Sequence, residues 1–261
     1  MKMVSWNVNG IRACEKKGLA GWLAETDAKI IGFQEVRADP TQVPESITSM
    51  RRWNQDYFPA QKAGYSGVGL LSRTEPDDLV RSMGVREFDI EGRFQCATFG
   101  KLRVVNVYVP NGTGPNRDLS RIPYKLDFSR RLFDLLAKDL RDGGRVLIFG
   151  DFNTAHEAID LARPKDNVEN SGFRPEERAE FGRWLAAGWV DTFRRFEKTG
   201  GRYTWWTQRG GARERNVGWR IDYVLATPGA MAYVKKAAIH ADILGSDHCP
   251  ISVTVDPKIV K

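Results

Sequence analysis

The chain has 261 residues, 41% hydrophobic and 28% charged, so it has the material for the core of a soluble globular protein. Lys+Arg 40 against Asp+Glu 33 leaves a charge of +7, which is compatible with a phosphate-rich partner but shared by many unrelated proteins. The three cysteines, Cys14, Cys96 and Cys249, are far apart and odd in number; they exclude a zinc spacing and a disulfide framework, and no apolar run is long enough to span a membrane.

Met3 to Val8 reads as a strand closed by Asn7-Val8-Asn9-Gly10, which puts two amides one residue apart. Leu19, Trp22 and Leu23 come next at helical spacing, with Trp22 expected in the core. Ala28 to Phe33 is a second apolar strand, and Glu35 lies at its exit, where a carboxylate can serve as a ligand for a hard divalent ion. Gln61 to Gly69 is a glycine-rich loop leading into the strand Val68 to Leu71. It reads either as a hairpin turn or as backbone amides and a tyrosine, Tyr65, approaching phosphate. Gly92 to Phe99 and Leu102 to Val109 form a hairpin turning at Gly100-Lys101. Tyr108 and Asn111 fall near the exit of its second strand.

A polar loop, Gly112 to Pro123, leads to a helix in which Phe128, Leu132, Leu136 and Leu140 recur every four residues, the pattern of a helix lying on a sheet. Val146 to Phe149 is a strand apolar on both faces, followed by Gly150. Asp151 and Asn153 can then project from one side of the exit loop; the same spacing also makes an Asx-turn, and these residues alone leave both readings open. Pro175 opens a helix reaching about Ala187. Further on lie the aromatic cluster Tyr203 to Thr207, the basic loop Arg209 to Arg215, the strand Ile221 to Leu225 holding Asp222, and Asp247-His248 before a final strand, Ile251 to Val255. With no low-complexity segment and no linker, one domain over 1–261 is expected.

Asn7, Glu35, Tyr108, Asp151, Asn153, Asp222 and the Asp247-His248 pair all sit at strand ends, which turn chemistry alone does not explain. Strand ends converge on one edge of a sheet or sandwich, so these groups can share a cleft. Carboxylates and amides suit Mg²⁺ or Mn²⁺, and a carboxylate beside a histidine orients it and keeps it protonated. No Walker loop or serine nucleophile elbow is present, so hydrolysis of a phosphate ester by activated water fits best.

The motifs SWNVNG at Ser5, GFQE ending at Glu35, GYSGVG at Gly64, EGR at Glu91, YVPNG at Tyr108, GDFNTAHEAIDL at Gly150, YTWW at Tyr203, NVGWRIDY at Asn216 and GSDHCP at Gly245 run through the whole chain. In this order they resemble the exonuclease III class of apurinic/apyrimidinic (AP) endonucleases, in the endonuclease–exonuclease–phosphatase superfamily. The resemblance implies a four-layer α/β sandwich, two mixed sheets face to face with helices outside. It implies a metal-dependent nuclease of DNA repair that cuts 5′ to an abasic site and leaves a 3′-hydroxyl, with 3′→5′ exonuclease or 3′-phosphatase activity beside it.

It also implies roles for individual residues. Glu35 would hold the Mg²⁺ (or Mn²⁺), with Asn7, Asn9 and Asp247 nearby and Asp151 and Asn153 bordering the ion. Asp151 would activate water, and Asn153 and Asn111 would donate to the scissile phosphate. Tyr108 would contact the phosphate or aid the leaving group, and His248, oriented by Asp222, would stabilise developing charge. Trp205, Trp219 and Ile221 would wall a pocket for an extruded abasic sugar, with Trp206 either beside them or in the core. Arg12, Lys17, Tyr65, Asn167, Asn170 and Arg209 would grip double-stranded DNA. A monomer in the cytoplasm, without a secretion signal, is expected. Two other readings compete: a phosphatase or phosphodiesterase of the same fold on small phosphoesters, which the GYSGVG and GWRIDY stretches disfavour, and a non-catalytic DNA-binding module, supported by charge alone.

Overall fold

The computed structural model describes residues 1–261. Twelve strands alternate with helices: β1 Lys2–Asn7, β2 Ile30–Gln34, β3 Asn54–Phe58, β4 Val68–Ser72, β5 Asp78–Val80, β6 Phe94–Phe99, β7 Leu102–Tyr108, β8 Arg145–Asp151, β9 Val190–Asp191, β10 Asp222–Ala226, β11 Val234–Ile239 and β12 Ile251–Val255. They form two six-stranded sheets, ordered β11-β12-β1-β2-β4-β3 and β5-β6-β7-β8-β10-β9. Each sheet is mixed, with one parallel pair at its centre, β1 beside β2 and β7 beside β8.

Side chains alternate across each strand, and in β8 both faces are buried. Leu147 and Phe149 face the other sheet and pack with Met3, Ile30, Val104 and Val253. Val146 and Ile148 face outward, under Phe128, Leu132 and Leu136 of the helix Ile122–Arg141 and Phe181 and Trp184 of the helix Pro175–Ala186. The expectation of a strand apolar on both faces therefore holds. On the other side, Leu19 and Leu23 of the helix Leu19–Glu25 cover Val4, Trp6, Ile31 and Phe33. Helix, sheet, sheet, helix is the four-layer α/β sandwich. Trp22, expected in the core, is half-buried and packs against it, edge-on to Trp6 at 5.1 Å.

Four strands have no counterpart among those expected from sequence: β3, β5, β9 and β11. They are the four edges of the two sheets, and β11 carries exposed Lys235 and Lys236, which blunt its free edge. The cysteines are free and buried. No helix is long and apolar enough to cross a membrane.

Register explains where the chemistry lies. In the parallel pairs Asn7 is opposite Gln34, just before Glu35, and Tyr108 is opposite Asp151. Antiparallel β10 begins with Asp222 opposite Asp151. The ends of β1, β2, β7 and β8 and the start of β10 thus form one rim. Two hydrogen bonds cross from sheet to sheet there: Asn7 Nδ2 donates to Asp151 Oδ2 at 2.9 Å and Tyr108 Oη donates to Glu35 Oε1 at 2.6 Å.

Candidate active site

Above this rim lies a cleft of about 550 Å³. Asn7, Asn9, Glu35, Tyr108, Asn111, Asp151, Asn153, Asp247 and His248 line its floor. Asn9, Glu35 and Asn153 have φ of 44°, 51° and 48°, the left-handed region that residues other than glycine seldom adopt. Three strand exits therefore turn sharply just where a polar side chain faces the cleft.

Asp151 is 1% exposed. Its Oδ1 accepts from the Asn153 N–H at 2.7 Å, and Oδ2 accepts from Asn7. His248 Nε2 stands 3.8 Å from Asp151 Oδ2, while Nδ1 meets Asp222 Oδ2 at 2.9 Å. The other Asp222 oxygen, buried, has no hydrogen-bond partner. Burial, then the neighbouring Asp222, pushes the Asp151 carboxyl up to about 7, against the pull of His248. Burial alone would lower the His248 pKa; Asp222, then Asp151 and Asp247, override it and raise it to about 10. Near neutral pH the imidazole is thus an imidazolium wedged between carboxylates, and Asp151 is poised to exchange a proton. Tyr108 is the opposite case: burial, then Glu35, holds its phenol well above the usual range, so it stays a proton donor.

A second group of oxygens faces the cleft beside this one. Asp247 accepts from Asn9 Nδ2 at 2.8 Å and from Trp205 Nε1 at 3.2 Å. Its pKa is lowered: burial works against this, but His248 and the Asn9 and Trp205 hydrogen bonds outweigh it, so it remains charged. Glu35 Oε1 takes Tyr108 and Arg37, and Oε2 accepts nothing from the protein. Asn9 donates its amide to Asp247, which leaves its carbonyl oxygen free.

Two sets could hold a metal. Asp151, Asp222 and His248 offer ligand atoms within 4.8 Å of one another. The second set is Glu35, Asp247 and Asn9. A hard cation fits the second better, because its donors are all oxygen, whereas the first includes an imidazole whose raised pKa keeps its nitrogens protonated.

The aromatic side of the cleft is built by the segment 203–221. Backbone bridges join Trp205 to Trp219 and to His248. The Trp205 and Trp219 rings meet edge to face at 6.3 Å, both half-buried, and pack on Ile221, Phe173 and Leu161. Trp206 points away into a small core with Tyr203, Ala212 and Cys249, so of the two adjacent tryptophans only Trp205 lines the cleft.

A family model described as Endonuclease/Exonuclease/phosphatase family matches residues 4–248. The chain belongs to this family. Among relatives, an exodeoxyribonuclease of Bacillus subtilis (strain 168) is 41% identical over 261 residues, covering 98% of this chain and 100% of that protein. The DNA repair nuclease APEX1 of Danio rerio is 38% identical over 260 residues, covering 97% of this chain and 81% of that one. Among solved structures, the 3′-5′ exonuclease NExo from Neisseria meningitidis superposes with a TM-score of 0.88 at 28% identity, over 98% of this chain and 100% of that one.

Of the residues marked from sequence in this family member, the cleft collects Asn7, Asn9, Glu35, Tyr108, Asn111, Asp151, Asn153, Asn167, Asn170, Trp205, Trp219, Ile221, Asp247 and His248. Asp222 stands directly behind His248. Arg12, Lys17 and Arg209 are exposed and lie outside the lining. Tyr65 lies in an adjoining hollow of about 450 Å³ that shares Tyr108 and Asn111 with the cleft and adds Lys62, Arg93 and Arg121. Sequence reading missed Arg37, Arg163 and Ser171 in the lining. Arg37 had a signal, since it stands two residues beyond Glu35 at the same strand exit; its guanidinium pairs with Glu35 at 2.9 Å.

Proposed function

We propose that the protein is a divalent-metal-dependent DNA repair nuclease that hydrolyses the phosphodiester 5′ to an abasic site in double-stranded DNA and leaves a 3′-hydroxyl. A 3′→5′ exonuclease or 3′-phosphatase activity accompanies it, because the same cleft can seat a strand end. One observation carries this reading: a carboxylate–imidazolium floor and a half-buried tryptophan wall share a single cleft. With a divalent cation on its carboxylates the floor would suit an anionic phosphate, and the wall suits a small sugar stripped of its base.

Phosphodiester hydrolysis needs an in-line water, neutralisation of a crowded anion and help for the leaving oxygen. Asp151, with its raised pKa, takes the proton from water. The Asn153 and Asn111 amides are joined at 3.1 Å, and together with the His248 imidazolium they face the non-bridging oxygens. Asp222 holds that imidazole in place. Tyr108, kept protonated, donates to the phosphate or the leaving oxygen. Glu35, Asn9 and Asp247, with Asn7 close by, would hold Mg²⁺ (or Mn²⁺), which as a Lewis acid supplies further charge neutralisation at the phosphate. Asn167, Asn170 and Arg163 contact the strand at the cleft edge, Tyr65 from the adjoining hollow, and Arg12, Lys17 and Arg209 the flanking duplex. The protein acts as a monomer.

A gel comparing duplexes with one abasic analogue, one uracil or no lesion tests this. Incision of the abasic duplex alone, dependent on divalent metal, is expected. Faster turnover of a small phosphoester than of the abasic duplex, or salt-dependent binding without cleavage, would overturn it.

A further inference from the structure

Under the cleft floor the helix Ile122–Arg141 sends one cation inward. Lys125 is 2% exposed. Its ammonium donates to the backbone oxygen of Asn153 at 2.6 Å and to Glu177 Oε1. Glu177, on the helix Pro175–Ala186, is also 2% exposed. Its Oε2 accepts from the N–H groups of Gly172, at 2.7 Å, and Arg174, at 3.3 Å, and Oε1 accepts from Ser171 Oγ at 3.3 Å. One buried ion pair therefore ties two helices, the Asn153 peptide and the loop 171–174, and that loop supplies Ser171 and Gly172 to the cleft lining.

A buried ion pair is a poor device for stability, because desolvation offsets most of the attraction and an apolar pair of the same size does as well. This one is aimed at a peptide that needs fixing. Asn153 sits at φ 48°, and its amide donates to Val109 O at 2.9 Å while accepting from Asn111. The loop also comes close to that peptide: a Cβ at Gly172 would lie 3.0 Å from Asn153 O. On its N–H side the turn is held by Asp151 Oδ1 at 2.7 Å; on its carbonyl side the Lys125 ammonium is the charged donor that completes the hold.

We propose that Lys125, anchored by Glu177, is a positioning residue that fixes the Asn153 peptide and so aims the Asn153 amide at the scissile phosphate. The catalytic part rests on the hydrolysis proposed above; the geometric part does not. The double variant Lys125→Met/Glu177→Gln removes both charges at nearly constant volume. Expected are a Tm near wild type, faster amide exchange at 152–155 and 171–174 with the β8 core unchanged, and a kcat on the abasic duplex lower by roughly 10- to 100-fold at a nearly unchanged KM. Lys125→Met alone, which leaves the Glu177 carboxylate on its Gly172 and Arg174 N–H donors, should show the same exchange and kcat pattern with a lower Tm, and serves if the double variant does not fold. Wild-type exchange at 152–155 with wild-type kcat would overturn the proposal. So would a drop in Tm with kcat per folded molecule unchanged, the mark of a purely structural pair. If the wild-type protein cuts no abasic duplex, the functional reading fails, and the exchange pattern still decides whether Lys125 holds the Asn153 peptide.

Discussion

The floor and the wall of the cleft are made of opposite materials, and the chain builds them in opposite ways. The floor, Asp151, Asp222 and His248, is almost fully buried and charged; strand register sets Asp222 opposite Asp151 across β8 and β10, and Asp222 holds His248, which comes from the loop before β12. The wall, Trp205 and Trp219, is half-exposed and apolar, and loops hold it through isolated backbone bridges. Burial raises the Asp151 pKa, and the buried carboxylates beside His248 raise its pKa against burial, so proton chemistry has to sit in the rigid, buried part of the cleft. Selection of a substrate by size needs no displaced pKa and can sit on loops. Changes to the floor should therefore alter rate, and changes to the wall should alter choice.

The largest expected effect is from Asp151→Asn, a loss of roughly 10²–10⁴-fold in kcat on the abasic duplex, read from single-turnover kinetics. The same change should raise stability. The folded pKa of Asp151, about 7, lies above its ordinary 3.8. The folded state thus holds the proton more tightly, and the stability this gives is complete below pH 3.8 and gone once pH has risen past about 7. At pH 8 the buried carboxylate is charged at a cost that asparagine avoids, so calorimetry in EDTA should show a higher Tm for the variant. A lower Tm would mean that Asp151 is a stabilising charge and that floor and wall differ less than their burial suggests.

Next comes Asp222→Asn, with a loss of about 10²–10³-fold in rate. In the metal-free protein the His248 ring should titrate near 10 by NMR and fall toward ordinary values in this variant, since Asp222 is the main group raising it. A wild-type titration near 6.5, the ordinary histidine value, would show that the imidazolium is not held by the floor.

Trp219→Ala should act on the wall alone. The ratio of abasic to undamaged incision should fall by about 10-fold, mostly through faster cutting of undamaged strands. Equal loss on both substrates would place Trp219 in the chemistry instead. The smallest effect is expected from Arg163→Ala at the cleft edge: binding a few-fold weaker on every duplex, and a salt dependence shallower by about one unit of slope.

The same contrast governs what the sequence could reveal. Apolar strands ended by Asn7, Glu35, Tyr108 and Asp151 were legible because a buried strand leaves a hydrophobic run and its exit leaves a polar residue. So was the helix under Phe128, Leu132 and Leu136. Edge strands β3, β5, β9 and β11 left no such run, since they are short or have one side that meets water. Arg37, Arg163 and Ser171 gave little because cations and hydroxyls are ordinary in loops. The Lys125–Glu177 pair gave nothing at all: both residues read as the polar face of a helix, and only the packing of two helices over Asn153 turns them inward. Trp205 and Trp206 could not be separated by composition. The pleat turns them to opposite sides, one toward the cleft and one into the core.

The most direct measurement is primer extension from the incised strand. A duplex with one abasic analogue is treated with the protein in Mg²⁺ and, separately, in EDTA, and a DNA polymerase is then added. Extension from a new end immediately 5′ of the lesion, present in Mg²⁺, absent in EDTA and lost with Asp151→Asn, is the expected result. An unextendable end, a cut elsewhere, or equal incision in EDTA would contradict a cleft in which oxygen ligands, an imidazolium and a tryptophan wall act on one phosphate.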